Sequence, residues 1–376
     1  MRLFWYEFRK LLRCWFLWIL LAVFLVYDVF LVLNTVGRDS KLYHEMYQII
    51  MQTGTDLTEN TDKIDALLDS KNEMEAYYAF YVKAYETIYQ DFDIRSILTS
   101  KLFPDESDYY TWISHNYDKL QERVEQIRVT NEDKYAFYPG IDYKVHGLLF
   151  LSLLRMVSLQ SLILAVLAVL YLMDYERIHK TEYLTYSSRT GRNIQFTKWL
   201  SGMTMGFLYT AILAAVSLML FLLCVPMQGL WETPISSFMV MQSRGFYLYP
   251  YITFVRLSIG KYLLLSLLVV SLLVLLMGIF SGAVQFFFRN SYLTMLSIGL
   301  LFMGMIALPY LFQTGFVHTA TALNPAALWY MCGGWFIEYD PAVSFAWSEF
   351  LTIGVWMIVV VLGFAFGKKY FLNIDM

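Results

Sequence analysis

Residues 174–198 read DYERIHKTEYLTYSSRTGRNIQFTK, and the reading of this stretch settles how the rest of the chain is laid out. It is a long polar run between two segments that are each long enough to cross a bilayer. It carries Arg177, Lys180, Arg189, Arg192 and Lys198 against Asp174, Glu176 and Glu182. Loops rich in Lys and Arg beside membrane spans stay in the cytoplasm. The stretch therefore predicts its own side of the membrane, and counting spans outward from it predicts the side of every other connection.

Composition agrees with that frame. Of 376 residues 58% are hydrophobic and only 16% charged, whereas a soluble domain carries about 25% charged residues. The apolar residues gather in runs of about 20 or more, the length that crosses about 30 Å of hydrocarbon. An all-α polytopic membrane protein follows, with the lipid bilayer as its solvent and nothing that suggests nucleic-acid binding. The first apolar run has no small-residue cleavage site before Asn34, so it reads as a span and not as a removable signal.

Working outward from 174–198, the predicted spans are 145–173 and 15–33 on one side and 199–225, 259–288, 292–312 and 350–367 on the other. Residues 1–14 alternate basic and aromatic side chains, which suits an amphipathic helix lying at the membrane surface. The tail 368–376 opens with Lys368 and Lys369. Both termini are expected on the cytoplasmic side of the cell membrane. Outward connections fall at 226–258 and at 313–349. The latter is too apolar for an ordinary loop and predicts short re-entrant helices, which lipid tolerates where protein buries them.

Residues 34–144 are the one long polar insert, with 21 acidic and 12 basic residues and a balance of −9. High helix propensity over 72–92, with Tyr78, Tyr81, Tyr85 and Tyr89 near helical spacing, and acids after Pro104 ahead of Tyr109, Ile113, Leu120, Val124 and Ile127, predict a helical extracytoplasmic domain with a tyrosine core. Within the spans, Asp28 and Arg155 fall at comparable depth, and an intramembrane charge invites a partner. The expectation is an Asp28–Arg155 pair near the outer boundary. Three small-residue pairs, Gly202/Gly206, Gly278/Gly282 and Gly363/Gly367, permit close helix approach, either within one subunit or at a dimer seam. Cys14, Cys224 and Cys332 form no close-spaced motif. They read as buried thiols, with a Cys224–Cys332 bridge as the alternative.

Catalytic signatures are missing from the sequence. It contains no phosphate-binding G-x-x-x-x-G-K-[ST] loop, no H-E-x-x-H pair, no G-x-S-x-G elbow, and five scattered histidines. The chain is thus expected to hold no cofactor or metal and to catalyse nothing alone.

At this point the ordered pattern resembles a family, the membrane subunits of type-2 ABC export permeases. A surface helix, six spans and a polar loop between the second and third spans match in order. Glu176, then Thr190-Gly191-Arg192, Ile194 and Lys198, resemble the family's motif in that loop. Pro309 and Asn324-Pro325 resemble its region between the fifth and sixth spans. The chain departs at His179-Lys180-Thr181, where many members carry Gly-Thr or Gly-Ser. The likeness covers the membrane part and leaves 34–144 uncovered.

The resemblance implies that 174–198 forms a coupling helix docked to a separate cytoplasmic ABC ATPase, which would bind the ATP and magnesium. Tyr175, Ile178 and Leu184 would be apolar anchors, with Glu176, Lys180, Arg189, Gly191, Arg192 and Lys198 around them. A second permease copy, most simply as a homodimer, would complete the translocation path. Peptide or amphiphilic toxin and drug export is the expected task, and the acidic insert suggests a cationic cargo. The competing expectation is a membrane receptor whose insert binds a ligand without transport.

Overall fold

A computed structural model of the chain describes residues 2–90, 92–99, 108–187, 191–244, 247–313 and 315–373. It is helical, and among the described residues six helices are long and apolar enough to cross a membrane. The spanning segments are Trp15–Gly37, Gly147–Met173, Gly191–Cys224, Ile259–Phe288, Ser291–Leu311 and Ser348–Asn373.

In chain order, α1 (Arg2–Leu12) is followed by α2 (Trp15–Val32), which runs on through π turns to Gly37. The insert then contributes α3 (Ser40–Thr53), α4 (Thr61–Leu68), α5 (Glu73–Tyr85), α6 (Ser96–Thr99) and α7 (Asp108–Val129). A π-helical stretch, Gly147–Leu154, leads into α8 (Arg155–Met173). Two single turns, α9 (Tyr175–Ile178) and α10 (Glu182–Tyr186), lie before the long α11 (Ile194–Cys224). A hairpin of β1 (Met241–Arg244) and β2 (Tyr247–Pro250) pairs Met241 with Pro250 and Arg244 with Tyr247. Then come α12 (Ile259–Phe288), α13 (Ser291–Leu311), α14 (Gly315–Ala322), α15 (Pro325–Tyr330) and α16 (Ser348–Asn373).

The bundle is organised around α8 and α11, its most closely packed pair. In lipid the hydrophobic effect does not drive helices together, so close packing and hydrogen bonds must. Gly202 and Gly206 provide that closeness. A Cβ at Gly202 would stand 2.7 Å from the Val169 Cα, and one at Gly206 would stand 2.8 Å from the Ala165 Cβ. A second cluster forms where α1 and the start of α2 fold onto this pair, with Phe8, Leu11, Leu17 and Leu21 against Leu164, Ala168, Met205 and Leu213. By contrast, α13 and α16 keep wide exposed apolar faces (Leu300, Met303, Ile358 and Leu362 among them), as expected for helices facing hydrocarbon.

Two helix joints show how local chemistry sets the path. Between α12 and α13, Arg289 adopts a left-handed φ of 52° and Asn290 caps α13 by accepting from the Tyr292 and Leu293 amides. Further on, Pro309 lies inside α13 and cannot donate to the carbonyl four residues back. That carbonyl belongs to Met305, and it accepts instead from Asn324 Nδ2 at 3.0 Å. The Asn324 side chain also caps α15 through the Ala326 and Ala327 amides, both at 2.9 Å.

The insert does not stand alone as a domain. The amide of Phe238 donates to Asp133 O, Thr233 Oγ1 to Ala136 O, Tyr138 OH to Pro226 O, and Tyr117 OH to Glu338. Glu338 N in turn donates to Ile252 O. The described residues of three segments distant in sequence, 38–146, 226–258 and 313–347, therefore fold as one cap on one side of the bundle. Within it Tyr78, Tyr81 and Tyr89 are buried, and Tyr85 packs against Tyr81. The α5 helix is shorter than 72–92 predicts, beginning after the Asn72 cap and stopping at Tyr85. On the opposite side, α1 and the last described turn of α16 meet residues 174–187 and 191–193.

Candidate functional site

The side of the bundle that holds α1 and the end of α16 carries a knot of four charges, with Glu7, Glu176 and Lys198 buried and Lys10 nearly so. The α8 helix ends at Met173, and the first turn after it, α9, turns Glu176 inward. Glu176 is 6% exposed and receives Lys10 Nζ from α1 at 3.1 Å and, from its other side, the fully buried Lys198 of α11. Lys10 in turn pairs with Glu7, one turn back on α1, at 2.8 Å. Two acids and two bases thus balance inside the protein. Such balance matters, because burying an ion costs several kcal/mol and only a well-paired partner offsets it.

Neighbouring bonds tie the same stretch to the other spans. Asp174 accepts from Ser291 N at 3.2 Å and Ser291 Oγ at 2.7 Å, joining the end of α8 to the start of α13. Gln195 Nε2 donates to Met173 O and to Tyr186 OH, closing the loop on itself. Arg192 donates to the carbonyls of Phe371 and Leu372, capping the end of α16 where cations are favoured. Void space beside the knot amounts to about 20 Å³, room for about one water and not for a substrate. Asp174, Arg177, Glu182 and Arg289 line this small space together with Glu176.

The residues expected around the coupling helix separate into two kinds. Glu176 and Lys198 are buried, Arg192 is engaged by the end of α16, and Gly191 takes a left-handed φ of 51° before α11. Tyr175 is half-buried, with Lys10 over its ring and His179 stacked on it. Facing outward are Ile178, 54% exposed, Leu184, 75% exposed, and the unforeseen Tyr183, 80% exposed, beside an exposed Lys180. Arg189 lies outside the described residues. Lys180 itself holds φ at 57°, and the Thr181 amide reaches back to Glu176 O, a helix-ending turn that glycine adopts more easily.

Glu7 and Lys10 were the missed members. Glu7 is the single acid before Asp28 and stands three residues ahead of a lysine on the predicted surface helix, a spacing that pairs side chains on one face.

The expected Asp28–Arg155 pair does not form. Asp28 is buried and accepts from Gln160 Nε2 at 2.8 Å and Ser217 Oγ at 2.7 Å, which join α2, α8 and α11. Arg155 points elsewhere, donating to Cys332 O at 3.0 Å and lying over the Tyr330 ring. Neutral hydrogen-bonding groups on α8 and α11 satisfy Asp28 in place of a charge. All three cysteines are unpaired and buried, so no Cys224–Cys332 bridge is present.

The glycine pairs divide in the same way. Gly202, Gly206, Gly278, Gly282 and Gly367 all abut neighbouring parts of the same chain, whereas Gly363 has nothing within 4 Å of where a Cβ would stand.

No protein-family model, curated protein or solved structure matches this chain.

Proposed function

We propose that the chain is the permease subunit of an ATP-driven exporter of the type-2 ABC class, working as a dimer in the cell membrane with both termini in the cytoplasm. A separate ATPase would bind the ATP and magnesium and dock on residues 175–186. Peptides or amphiphilic toxins and drugs are the proposed cargo. The α1 helix would lie at the inner surface and the cap at 38–146, 226–258 and 313–347 outside.

One observation carries this reading. Three exposed apolar side chains (Ile178, Tyr183, Leu184) sit on a loop that the Glu176–Lys198–Lys10–Glu7 knot fixes to the bundle. Exposed apolar groups on a polar loop are costly in water and mark an interaction surface. A push on these groups would pass into α1, α8 and α11 together, since their charges cannot separate cheaply. The orientation draws support from Arg2, Arg9, Lys10, Arg13, Arg289, Lys368 and Lys369, which share the side of this loop.

The test is co-expression with an ABC ATPase encoded beside the gene, followed by purification and ATP hydrolysis assays in lipid. Replacing both Ile178 and Leu184 by Asp should abolish co-purification and stimulated hydrolysis while leaving the thermal midpoint of the permease unchanged. A complex that survives deletion of 175–186 would overturn the docking role. The receptor reading draws on a different observation, a cavity of about 730 Å³ between cap and bundle lined by Phe137, Lys144, Met241, Tyr251 and Tyr339 among others, and it predicts no ATPase partner at all.

A further inference from the structure

The α1 helix presents two unlike faces. Phe4, Glu7, Phe8 and Leu11 turn toward the bundle, where Ser201 Oγ of α11 donates to Phe4 O at 3.3 Å. At 3.6 residues per turn, Arg2, Arg9 and Arg13 fall on the opposite face, and all three are exposed. The alignment holds past Leu12, since Arg13 N still donates to Arg9 O at 3.2 Å. Trp5 and Leu12 flank the arginines on one side and Tyr6 on the other, each of them exposed as well.

Acids are missing from this outer face. Glu7 is the sole acid before Asp28, and it is turned inward, where Lys10 holds it. None of the three arginines meets a carboxylate among the described residues. The face thus carries an unbalanced positive charge. Its level in the membrane follows from its neighbours. The α1 helix crosses α11 at Ser201, one turn beyond Lys198, and the spanning α2 starts just after it at Trp15. Trp18 Nε1 of α2 donates to Leu12 O at 3.1 Å and ties the corner between the two helices. From that corner the exposed Trp15, Phe16, Ile19 and Val23 continue along α2, a surface for hydrocarbon to cover. The outer face of α1 therefore stands where hydrocarbon gives way to water, a level that indole and phenol rings favour.

We propose that this face binds the phosphates of anionic phospholipids through Arg2, Arg9 and Arg13, with Trp5 and Leu12 dipping toward the acyl chains. A guanidinium fork takes two phosphate oxygens at once, and basic amphipathic helices lie in the headgroup plane. A zwitterionic lipid brings its own ammonium to the same place, so the unbalanced charge selects lipids of net negative charge. The selection is expected at about fivefold per arginine, the factor equivalent to about 1 kcal/mol. Lipid held there would steady the helix whose Glu7 and Lys10 brace the 174–187 loop. The proposal rests on the reading that α1 lies at the membrane surface, and not on ATP-driven export.

The test uses the full chain in phosphatidylcholine nanodiscs doped with a diazirine phosphatidylglycerol or, in parallel, a diazirine phosphatidylcholine. The diazirine sits close to the glycerol, and photolysis is followed by peptide mass spectrometry. Peptides covering 2–18 should take up the phosphatidylglycerol probe at least about tenfold more than the phosphatidylcholine probe. Peptides from the apolar middle of α16 should take both alike. The preference at 2–18 should collapse in about 1 M sodium chloride, where charges are screened beyond about 3 Å. Changing Arg2, Arg9 and Arg13 together to Gln should remove it too, with the thermal midpoint in plain phosphatidylcholine unchanged. Changing Lys368 and Lys369 to Gln should leave it intact. Equal uptake of the two probes at 2–18, or a preference that survives the triple change, would overturn the proposal. So would an equal loss on changing Lys368 and Lys369, because diffuse surface charge would then suffice. A triple variant that keeps its lipid label and loses a co-purifying ATPase would overturn it as well, by marking the face as a protein-docking surface. Should the triple variant fail to fold, the two probes and the salt response of the unaltered chain still decide. The labelling needs no ATPase or nucleotide, so its failure and that of the exporter reading can be told apart.

Discussion

Asn324 makes the hydrogen bond that Pro309 leaves open. A proline inside a helix orphans the carbonyl four residues earlier, and in hydrocarbon that carbonyl has no water to turn to. Here the carbonyl of Met305 accepts from Asn324 Nδ2, while Asn324 Oδ1 caps the next short helix. Asn324→Ala is expected to cost about 1–2 kcal/mol for the cap, plus about 1–3 kcal/mol for the orphaned carbonyl. In a Pro309→Ala background the second part should vanish, because an alanine at that position supplies its own amide. Thermal unfolding of the four variants in one detergent measures the coupling, and simple additivity would rule the relationship out.

The Glu176–Lys198 pair leads to a similar cycle with a larger expected signal. Glu176→Gln leaves Lys10 and Lys198 facing Glu7 alone, a buried excess of one positive charge. Lys198→Met leaves the opposite excess. Each single change should cost about 3–5 kcal/mol, while the double change restores neutrality and should recover most of the loss. If each single variant unfolds like the parent protein, the knot does not hold the loop, and the mechanical argument for docking goes with it.

Helix packing separates the glycine pairs experimentally. Gly202→Ala and Gly206→Ala push a methyl group against the α8 backbone at Val169 and Ala165, where nothing can rotate away. Overpacking of this kind costs about 1–3 kcal/mol. Gly363→Ala meets nothing within 4 Å and should be silent in the folded monomer. A changed elution volume for Gly363→Ala at an unchanged thermal midpoint would place this face between two copies of the chain. Equal thermal losses at all three positions would contradict this packing.

The six spans were legible because the bilayer imposes a length, and apolar runs near 20 residues have no other economical use. Their ends were less so: α11 begins at Ile194 and α16 continues to Asn373, since helices carry on through polar residues once their side chains find partners, as Lys198 does in α11. The cap was read as one insert because 34–144 is polar. The contributions of 226–258 and 313–347 went unseen because many of their ties end on backbone carbonyls, such as Tyr138 to Pro226 and Thr233 to Ala136, which leave no mark in the sequence. Asp28 illustrates the same limit. Matching depth suggested Arg155, but Asp28 meets Gln160, further along the same α8, and Ser217 of α11, and counting residues from a span's end fixes neither a side chain's depth nor its rotation about the helix axis.

The cap carries a pH dependence that one residue should expose. Asp133 is 3% exposed, and burial pushes its carboxyl up to about 6, only partly opposed by a backbone hydrogen bond and Lys134. An unfolded Asp titrates near 3.9. Because the folded value is the higher one, the folded state holds the proton more tightly. The resulting stability is fully present below about pH 3.9 and is lost as pH rises through about 6. At pH 7.5 the protein therefore keeps a buried carboxylate whose Oδ1 lacks a partner. Asp133→Asn should raise the thermal midpoint at pH 7.5 by a few degrees, with the gain shrinking through pH 6 and gone below pH 4. Midpoints measured across that range check it, and a gain that does not change with pH would show that Asp133 is not the titrating group.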